Sequence, residues 1–417
     1  MHRKISLGIV LLFLVSCSSG TGPEEITSST AVFSIDIPTE LSGFIVSIEA
    51  VITAVDIDTI RQNLSITGDT LATGTIGNIP VGLNRLFTLN AYKSGYIKSH
   101  TGSTLADVQT DTVQVSVTLE PIVGTAVVTG TITVPNDFWQ TLAPMPTARS
   151  MASTGVINGR LYVVGGYAGA GELAVMESYD PYANTWRTEP AMPTPRARAM
   201  SGVINGKLYV AGGWDGSYLK VLEEFDPGTG TWTEMTEMPT ARRHAGVAVV
   251  NDLLYVIGGY LNDTRLDTVE VYNPASDSWA IGISMTTTRH SPAVGVFDDK
   301  IYVAGGHKQA SGGTTNILEV YDPGAGSWTT KAVMDRPRYG AVGGTVAGLI
   351  YVAAGYFPYN RLDVLEVYDP GTDTWATLTS APTTREYPGG EVIESKFYVV
   401  GGYDGTDYLA TLEVYFP

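Results

Sequence analysis

Apolar residues occur in short runs separated by turn residues along most of this chain, and this pattern predicts β-strands rather than helices. One stretch shows the pattern clearly. Apolar strands at 199–204 and 208–211 flank an Asn-Gly turn, and a third strand follows at 221–226. A Pro-Gly-Thr-Gly turn then leads into a fourth strand at Trp232. The sequence therefore predicts a unit of four short strands.

The four-stranded unit is repeated along the chain. A pair of small residues ends the second strand of each unit, at Gly165-Gly166, Gly212-Gly213, Gly258-Gly259, Gly305-Gly306, Ala354-Gly355 and Gly401-Gly402. A tryptophan precedes each pair by 26 positions, at Trp139, Trp186, Trp232, Trp279, Trp328 and Trp375. The period of 46 to 49 residues is typical of a repeat architecture, and its length varies in one surface loop per unit.

The ends of the repeat region predict how the units close into a ring. The last unit stops after its third strand, at 415–417, and has no tryptophan of its own. Trp139 lies before the first complete unit and belongs to no earlier one. Four-stranded sheets repeated around an axis form a propeller, which hides the sheet edges. We therefore predict six blades over 137–417, with the Trp139 strand completing the sixth.

These units resemble the kelch repeat. The second unit carries the kelch signature in order, as Val210-Ala211-Gly212-Gly213, Phe225-Asp226, Trp232, Met238-Pro239 and Arg242. Other units depart from it slightly: Ala354 replaces a glycine, and Asn273 and Phe416 replace the acid. The resemblance covers about residues 137 to 417 and implies an all-β fold, a six-bladed kelch β-propeller.

The first residues resemble a bacterial lipoprotein signal. A cationic pair, Arg3-Lys4, precedes an apolar stretch at 5–15 that is too short to span a bilayer and that ends just before Cys17. The resemblance to a lipobox implies that 1–16 are removed as a signal peptide and that Cys17 carries the lipid anchor. We expect a cell-envelope protein at the outer membrane, on its periplasmic or surface face. An ordinary secretory signal is the alternative.

Three segments connect the anchor to the propeller. A polar tether at 17–30 comes first. The segment 31–121 alternates apolar and polar residues in short runs, which predicts a small β-sandwich, immunoglobulin-like or related. A linker at 122–136 leads to the propeller.

Composition narrows the possible partners. The formal charge of −17 argues against nucleic acid and against adhesion to anionic headgroups, so we expect membrane attachment through Cys17 alone. Cys17 is also the only cysteine, which excludes disulfides and thiol chemistry in the propeller. The histidines lack zinc-ligand spacing. We expect no metal and no cofactor.

Two positions repeat with the same residue in every unit. An arginine lies 16 positions before each small pair, at Arg149, Arg196, Arg242, Arg289, Arg338 and Arg385. A glutamate recurs in each third strand, at Glu177, Glu223, Glu270, Glu319, Glu366 and Glu413. Because buried charges need partners, we interpret these residues as structural ion pairs that tie the blades together.

Two other positions differ from unit to unit. Directly after the small pairs come Tyr167, Trp214, Tyr260, His307, Tyr356 and Tyr403. Two positions after the arginines come Met151, Arg198, His244, Ser291, Gly340 and Tyr387. The kelch resemblance implies that both sets lie on one face, beside the central channel. The aromatic residues with Arg198, His244 and Tyr387 are therefore our ligand-binding candidates. Packing between neighbouring blades is the alternative interpretation of the aromatic residues.

These observations favour a lipoprotein that uses a kelch propeller to bind a protein or a glycan, without catalysis. The alternative is a sugar mutarotase or epimerase, because the periplasmic sialic-acid mutarotase family also has kelch repeats in a six-bladed ring. Opening a sugar ring needs an acid–base pair. Glu386 with Arg198, Arg243 or His244 is the candidate for that pair.

Overall fold

In this computed structural model the chain divides into two compact units, 1–136 and 137–417. Residues 137–308 and 313–417 are described in full, and the first unit only by its backbone strands. Seven of those strands pair side by side, in the order Ser28–Asp36, Leu71–Pro80, Ile57–Thr67, Ile45–Ala54, Gly82–Lys93, Ile97–Val108 and Glu120–Pro121. The predicted signal peptide, lipid anchor, tether, linker and sandwich packing lie outside the described residues.

The described residues of the second unit form six antiparallel sheets of four strands each, so the prediction of an all-β, six-bladed propeller is confirmed. They also form two short two-stranded sheets, Arg289–His290 with His307–Lys308 and Tyr356–Phe357 with Asn360–Arg361. Blade 1 contains Ser153–Ile157, Arg160–Val164, Met176–Asp180 and Thr185–Glu189. Blade 2 contains Met200–Ile204, Lys207–Ala211, Leu222–Asp226 and Thr231–Met235. Blade 3 contains Gly246–Val250, Leu253–Leu261, Thr264–Asn273 and Ser278–Ile281. Blade 4 contains Ala293–Phe297, Lys300–Ala304, Leu318–Asp322 and Ser327–Lys331. Blade 5 contains Val342–Val346, Leu349–Ala353, Leu365–Asp369 and Thr374–Leu378. Blade 6 contains Gly389–Ile393, Lys396–Val400, Leu412–Phe416 and Phe138–Leu142. No helix long and apolar enough to cross a bilayer occurs in the described part of the chain.

The sixth blade joins the two ends of the propeller. The strand Phe138–Leu142 pairs antiparallel with Leu412–Phe416, so Trp139 lies opposite Tyr415. Their rings are 5.2 Å apart, and the Trp139 indole donates a hydrogen bond of 2.8 Å to the carbonyl of Thr379. The equivalent tryptophans of the other blades also lie against the tyrosine or phenylalanine of the third strand, at Trp186, Trp232, Trp279, Trp328 and Trp375.

The core lies between the blades rather than within them. Leu254 and Val256 of blade 3, for example, pack with Tyr209 and Leu222 of blade 2. The first strands of all six blades surround a central channel of about 470 Å³. Stability therefore depends on the complete ring, because each sheet buries its apolar faces against two neighbours.

The small pairs are required by backbone geometry. Gly212 has a φ of +58°, and a Cβ there would lie 2.6 Å from the carbonyl oxygen of Arg242 and 2.7 Å from Cε of Met238. A side chain is therefore disfavoured twice, by the left-handed conformation and by the close approach of the next blade connection. Blade 5 has Ala354 at this position, and it also has Ala381 at the position of Met238. The one blade with a methyl group at this position is thus one that lacks the methionine.

Candidate functional site

Each buried arginine connects two neighbouring blades. Arg242 lies in the connection before blade 3, where its amide donates to Leu219 and its carbonyl accepts from Gly213, both of blade 2. Its side chain enters blade 3 and forms an ion pair of 2.6 Å with Glu270 and a hydrogen bond of 2.9 Å to the carbonyl of Gly258. The backbone is thus held by one blade and the guanidinium by the next.

The same ion pair occurs in every blade. The pairs are Arg149–Glu177 at 2.5 Å, Arg196–Glu223 at 2.7 Å, Arg385–Glu413 at 2.6 Å, Arg289–Glu319 and Arg338–Glu366. Their side chains are at most 4% exposed. Burial lowers the pKa of Arg149 to about 10, although Glu177 opposes this shift. A pKa of 10 still keeps the guanidinium charged at neutral pH.

The candidates two positions after these arginines form a closed backbone ring. All six have a left-handed φ between +52° and +62°. Each amide donates to the carbonyl of the preceding blade, with distances of 2.6 to 3.0 Å, in the order Met151, Arg198, His244, Ser291, Gly340, Tyr387 and back to Met151. The ring closes one end of the channel. The sequence did not predict this role, because a backbone hydrogen bond leaves no requirement on the side chain.

Two side chains of the backbone ring meet across the axis. His244 belongs to blade 3 and Tyr387 to blade 6, and their rings lie 4.8 Å apart. Gly340 makes room for them, because a Cβ at this position would lie 3.0 Å from the ring of Tyr387. Burial, with nearby His290 and two arginines, holds the pKa of His244 well below its usual value. The imidazole is therefore neutral at pH 7.

The six aromatic candidates lie on the same end of the propeller as the backbone ring. Each pairs through its backbone with the residue directly after the buried arginine of its blade: Ser150–Tyr167, Ala197–Trp214, Arg243–Tyr260, His290–His307, Tyr339–Tyr356 and Glu386–Tyr403. This pairing brings His290 and Tyr339 to the face, and neither was predicted from the sequence. Their signal is the position one residue after each repeated arginine. We call the twelve paired residues, with Tyr218, Arg265, Arg361, Tyr408 and Arg198, the aromatic belt.

In blades 2 and 3 the aromatic belt surrounds a cation. The Arg243 guanidinium lies 4.6 Å from the centre of the Trp214 ring and 5.2 Å from those of Tyr218 and Tyr260. Such contacts are favourable, more so where water is excluded. No acidic side chain in the described ranges lies within ion-pair distance of Arg243, and its buried Nε has no hydrogen-bond partner.

In blades 4 and 5 the aromatic belt consists of histidine and tyrosine. The rings of His290 and His307 stack with centres 5.2 Å apart, and Tyr339 meets the His307 ring edge-on at 5.2 Å. Arg265 lies over Tyr260 and 3.5 Å from Nδ1 of His307. Burial, then His307 and the two arginines, lowers the pKa of His290 to about 3. Burial and Arg265 also lower the pKa of His307.

Between blades 5 and 6 and between blades 1 and 2 the cations have carboxylate partners. Arg361 lies between the rings of Tyr356 and Tyr403, and it forms an ion pair of 3.0 Å with Glu386. Burial raises the pKa of Glu386 although Arg361 lowers it. Arg198 lies 3.7 Å from Glu172 and over the ring of Tyr167. The structure thus gives Glu386 the partner Arg361, whereas the sequence analysis considered Arg198, Arg243 or His244.

The arrangement suits binding of a polar ligand with flat faces. No group of three or more histidine, cysteine or acidic residues that could hold a metal occurs among residues 137–308 and 313–417. Aromatic rings instead lie beside four arginines, Arg198, Arg243, Arg265 and Arg361, as in sites that combine stacking with charge-assisted hydrogen bonds.

Comparison with known proteins identifies the repeats. Residues 139–295 match the KLHDC2/KLHL20/DRC7 Kelch-repeats domain, and residues 288–332, 337–382 and 384–415 match the Kelch motif. Residues 139–415 are kelch repeats. The solved structure "Structure of YjhT" is similar, at 17% sequence identity and a TM-score of 0.57, over 66% of this chain and 96% of that chain. At this identity the likeness to YjhT concerns the fold alone. None of the curated proteins matches the chain.

Proposed function

We propose that this protein is a lipid-anchored protein of the cell envelope whose kelch propeller binds a protein or a glycan, without catalysing a reaction. The aromatic belt is the observation that carries the proposal. Its side chains differ from blade to blade, while the buried Arg–Glu pairs behind it are the same in all six. A surface that varies within an otherwise uniform repeat supports one asymmetric ligand site.

The aromatic belt is also held in place before any ligand arrives. The hydroxyl of Tyr260 donates to Asp263 at 2.5 Å, and those of Tyr167 and Tyr403 donate to nearby backbone carbonyls at 3.0 and 2.9 Å. Rings that are already fixed lose little entropy on binding. They offer flat surfaces to a sugar ring or to a peptide side chain.

Binding to a glycan array and pull-down from envelope extracts test this function in the full chain. The double variant Trp214→Ala/Tyr260→Ala is expected to lose at least tenfold in affinity, since stacked aromatic residues are common hot spots. Tyr182→Ala is the matched control, because Tyr182 is an exposed tyrosine at the opposite end of blade 1. Equal binding by the double variant and the control would place the site elsewhere.

The lipid anchor needs its own test. Metabolic labelling with an alkyne fatty acid is expected to mark the wild-type protein in the membrane fraction and not Cys17→Ser. Retained labelling in Cys17→Ser would contradict anchoring at this residue.

One observation favours the mutarotase alternative. Glu386 is a partly buried carboxyl with a raised pKa; its side chain lies beside Arg361 and interacts with the charge of Tyr339, and its backbone pairs with Tyr403. A carboxyl with a raised pKa is a candidate for proton transfer. Anomer exchange of sialic acid, followed by NMR, tests this function. Acceleration that disappears in Glu386→Gln would replace the non-catalytic proposal.

A further inference from the structure

The cations of the aromatic belt differ in their partners. Arg198 and Arg361 each have a carboxylate, Glu172 and Glu386. Arg243 has none within ion-pair distance among residues 137–308 and 313–417, although the whole chain has 42 acidic residues against 25 basic ones. A half-buried guanidinium without an anion in so acidic a protein is costly unless a ligand supplies the negative charge.

The groups next to Arg243 are able to donate hydrogen bonds to the same anion. Arg243 and His290 both lie near the Tyr260 ring, whose centre is 5.2 Å from the guanidinium carbon and 5.2 Å from the centre of the imidazole ring. His307 stacks on His290. Neutral imidazole donates one N–H, and protonated imidazole donates two.

We infer that Arg243, His290 and His307 form a subsite for one oxyanion group of the ligand, a carboxylate or a sulfate, and that the anion binds together with a proton. This inference rests on the proposed function and specifies the chemistry of the ligand. The guanidinium supplies charge-assisted hydrogen bonds to the oxyanion. The proton comes from solvent and is taken up by an imidazole nitrogen of His290 or His307.

Proton uptake follows from the groups around His290. They are His244, His307, Arg243, Arg265, Tyr260, Tyr339 and the hydroxyl of Ser291, which is 2.9 Å from Nδ1. None of these neighbours is anionic at neutral pH, so burial and nearby cations together keep the free imidazole neutral. A bound anion offsets part of the local positive charge and so raises the pKa of the imidazole. By linkage, affinity then increases as the pH falls.

Titration of the full chain with sodium glucuronate and with sodium sulfate, by calorimetry at pH 7.5 and 5.5 and constant ionic strength, tests the inference. We expect either anion to bind about fivefold to tenfold more tightly at pH 5.5, with proton uptake visible as a buffer-dependent heat. Arg243→Gln is expected to lose at least tenfold in affinity at both pH values. His290→Gln is expected to bind with a weaker pH dependence.

The control is Arg187→Gln, because Arg187 is an exposed arginine on the outer strand of blade 1. Circular dichroism melts establish that each variant is folded. Glucuronate binding alone assigns the subsite to carboxylates, and sulfate binding alone assigns it to sulfates. Equal affinity at both pH values, or full affinity in a folded Arg243→Gln, overturns the inference. A neutral glycan that binds when neither anion does would also overturn it, yet it would leave the proposed function standing.

Discussion

The buried arginines and the backbone-ring residues lie only two positions apart in the same blade connections, yet they differ in how much their identity varies and in which of their atoms hold the blades together. The buried arginines are identical in all blades, and their side chains carry the interaction. The backbone-ring residues range from glycine to arginine, because the hydrogen bonds that close the ring come from their amides and carbonyls. A position whose side chain holds neighbouring blades together therefore has the same residue in every unit, whereas a position that holds them through backbone hydrogen bonds can vary. Apart from Gly340, where a Cβ would lie 3.0 Å from the ring of Tyr387, the side chains of the ring can therefore differ without changing the hydrogen bonds that close it.

The largest effect is expected from breaking a buried pair. Arg242→Ala leaves Glu270 charged and buried, and it removes the partners of the carbonyls of Gly258 and Thr268. We expect a loss of about 3–5 kcal/mol in the free energy of unfolding. Urea denaturation followed by circular dichroism measures it.

The exposed pair Arg187–Glu189 is the natural control for Arg242–Glu270. Because water screens a pair in which the arginine is 58% exposed, Arg187→Ala is expected to cost less than about 0.5 kcal/mol. Similar losses for Arg187→Ala and Arg242→Ala would mean that burial does not set the difference between the two pairs.

The sixth blade, where the two ends of the propeller pair and form its seam, offers a second test. Trp139→Ala removes the ring contact with Tyr415 and the hydrogen bond to Thr379 in the blade that joins the chain ends. Trp279→Ala removes the equivalent contacts in blade 3, which are the ring contact with Tyr272 and the hydrogen bond to the carbonyl of Thr236. No chain ends meet in this blade. Since both indoles are partly exposed, we expect losses of about 2–3 kcal/mol for each. A loss at Trp139 far below that at Trp279 would show that the seam does not contribute to stability.

The sequence allowed the blades to be predicted, because strand length, glycine pairs and tryptophans all repeat with one period. Repetition of residue types did not reveal all the residues of the aromatic belt. His290 and Tyr339 occupy a position that is alanine in blade 2 and glutamate in blade 6, so no repeated residue type marks it. The closed backbone ring was also missed. Arginine, histidine and tyrosine all adopt its left-handed conformation, and sequence does not mark that conformation unless glycine is used.

A third test uses the channel, where one blade departs from the rest. The middle of the first strand is glycine or alanine in blades 1 to 5, and it is Glu391 in blade 6. Burial raises the pKa of Glu391 to about 7, although a hydrogen bond from Thr154 lowers it. The folded state therefore binds this proton more tightly than the unfolded state does. Its stabilising effect is present below about pH 4.5 and is lost as the pH rises to about 7.

Glu391→Ala is expected to remove this pH dependence. At pH 8 the variant should be about 1–3 kcal/mol more stable than wild type, the range reflecting partial solvent access to the channel. Below pH 4.5 the difference should nearly vanish. Urea denaturation across this pH range provides the measurement. Parallel pH profiles for the two proteins would mean that Glu391 is already ionised at little cost in the folded state.

The smallest effect is expected at two positions of blade 5, Ala354 and Ala381, where blade 2 has Gly212 and Met238. In blade 2 a methyl group on Gly212 would meet Cε of Met238 at 2.7 Å, whereas blade 5 has Ala354 with Ala381. If the two positions share one space, Ala381→Met alone overpacks blade 5 and destabilises it. Adding Ala354→Gly should recover about 1 kcal/mol beyond the sum of the single changes. A double-mutant cycle by urea denaturation measures this coupling. Additive effects would mean that Ala354 is tolerated for its left-handed backbone alone, and that the missing methionine is unrelated.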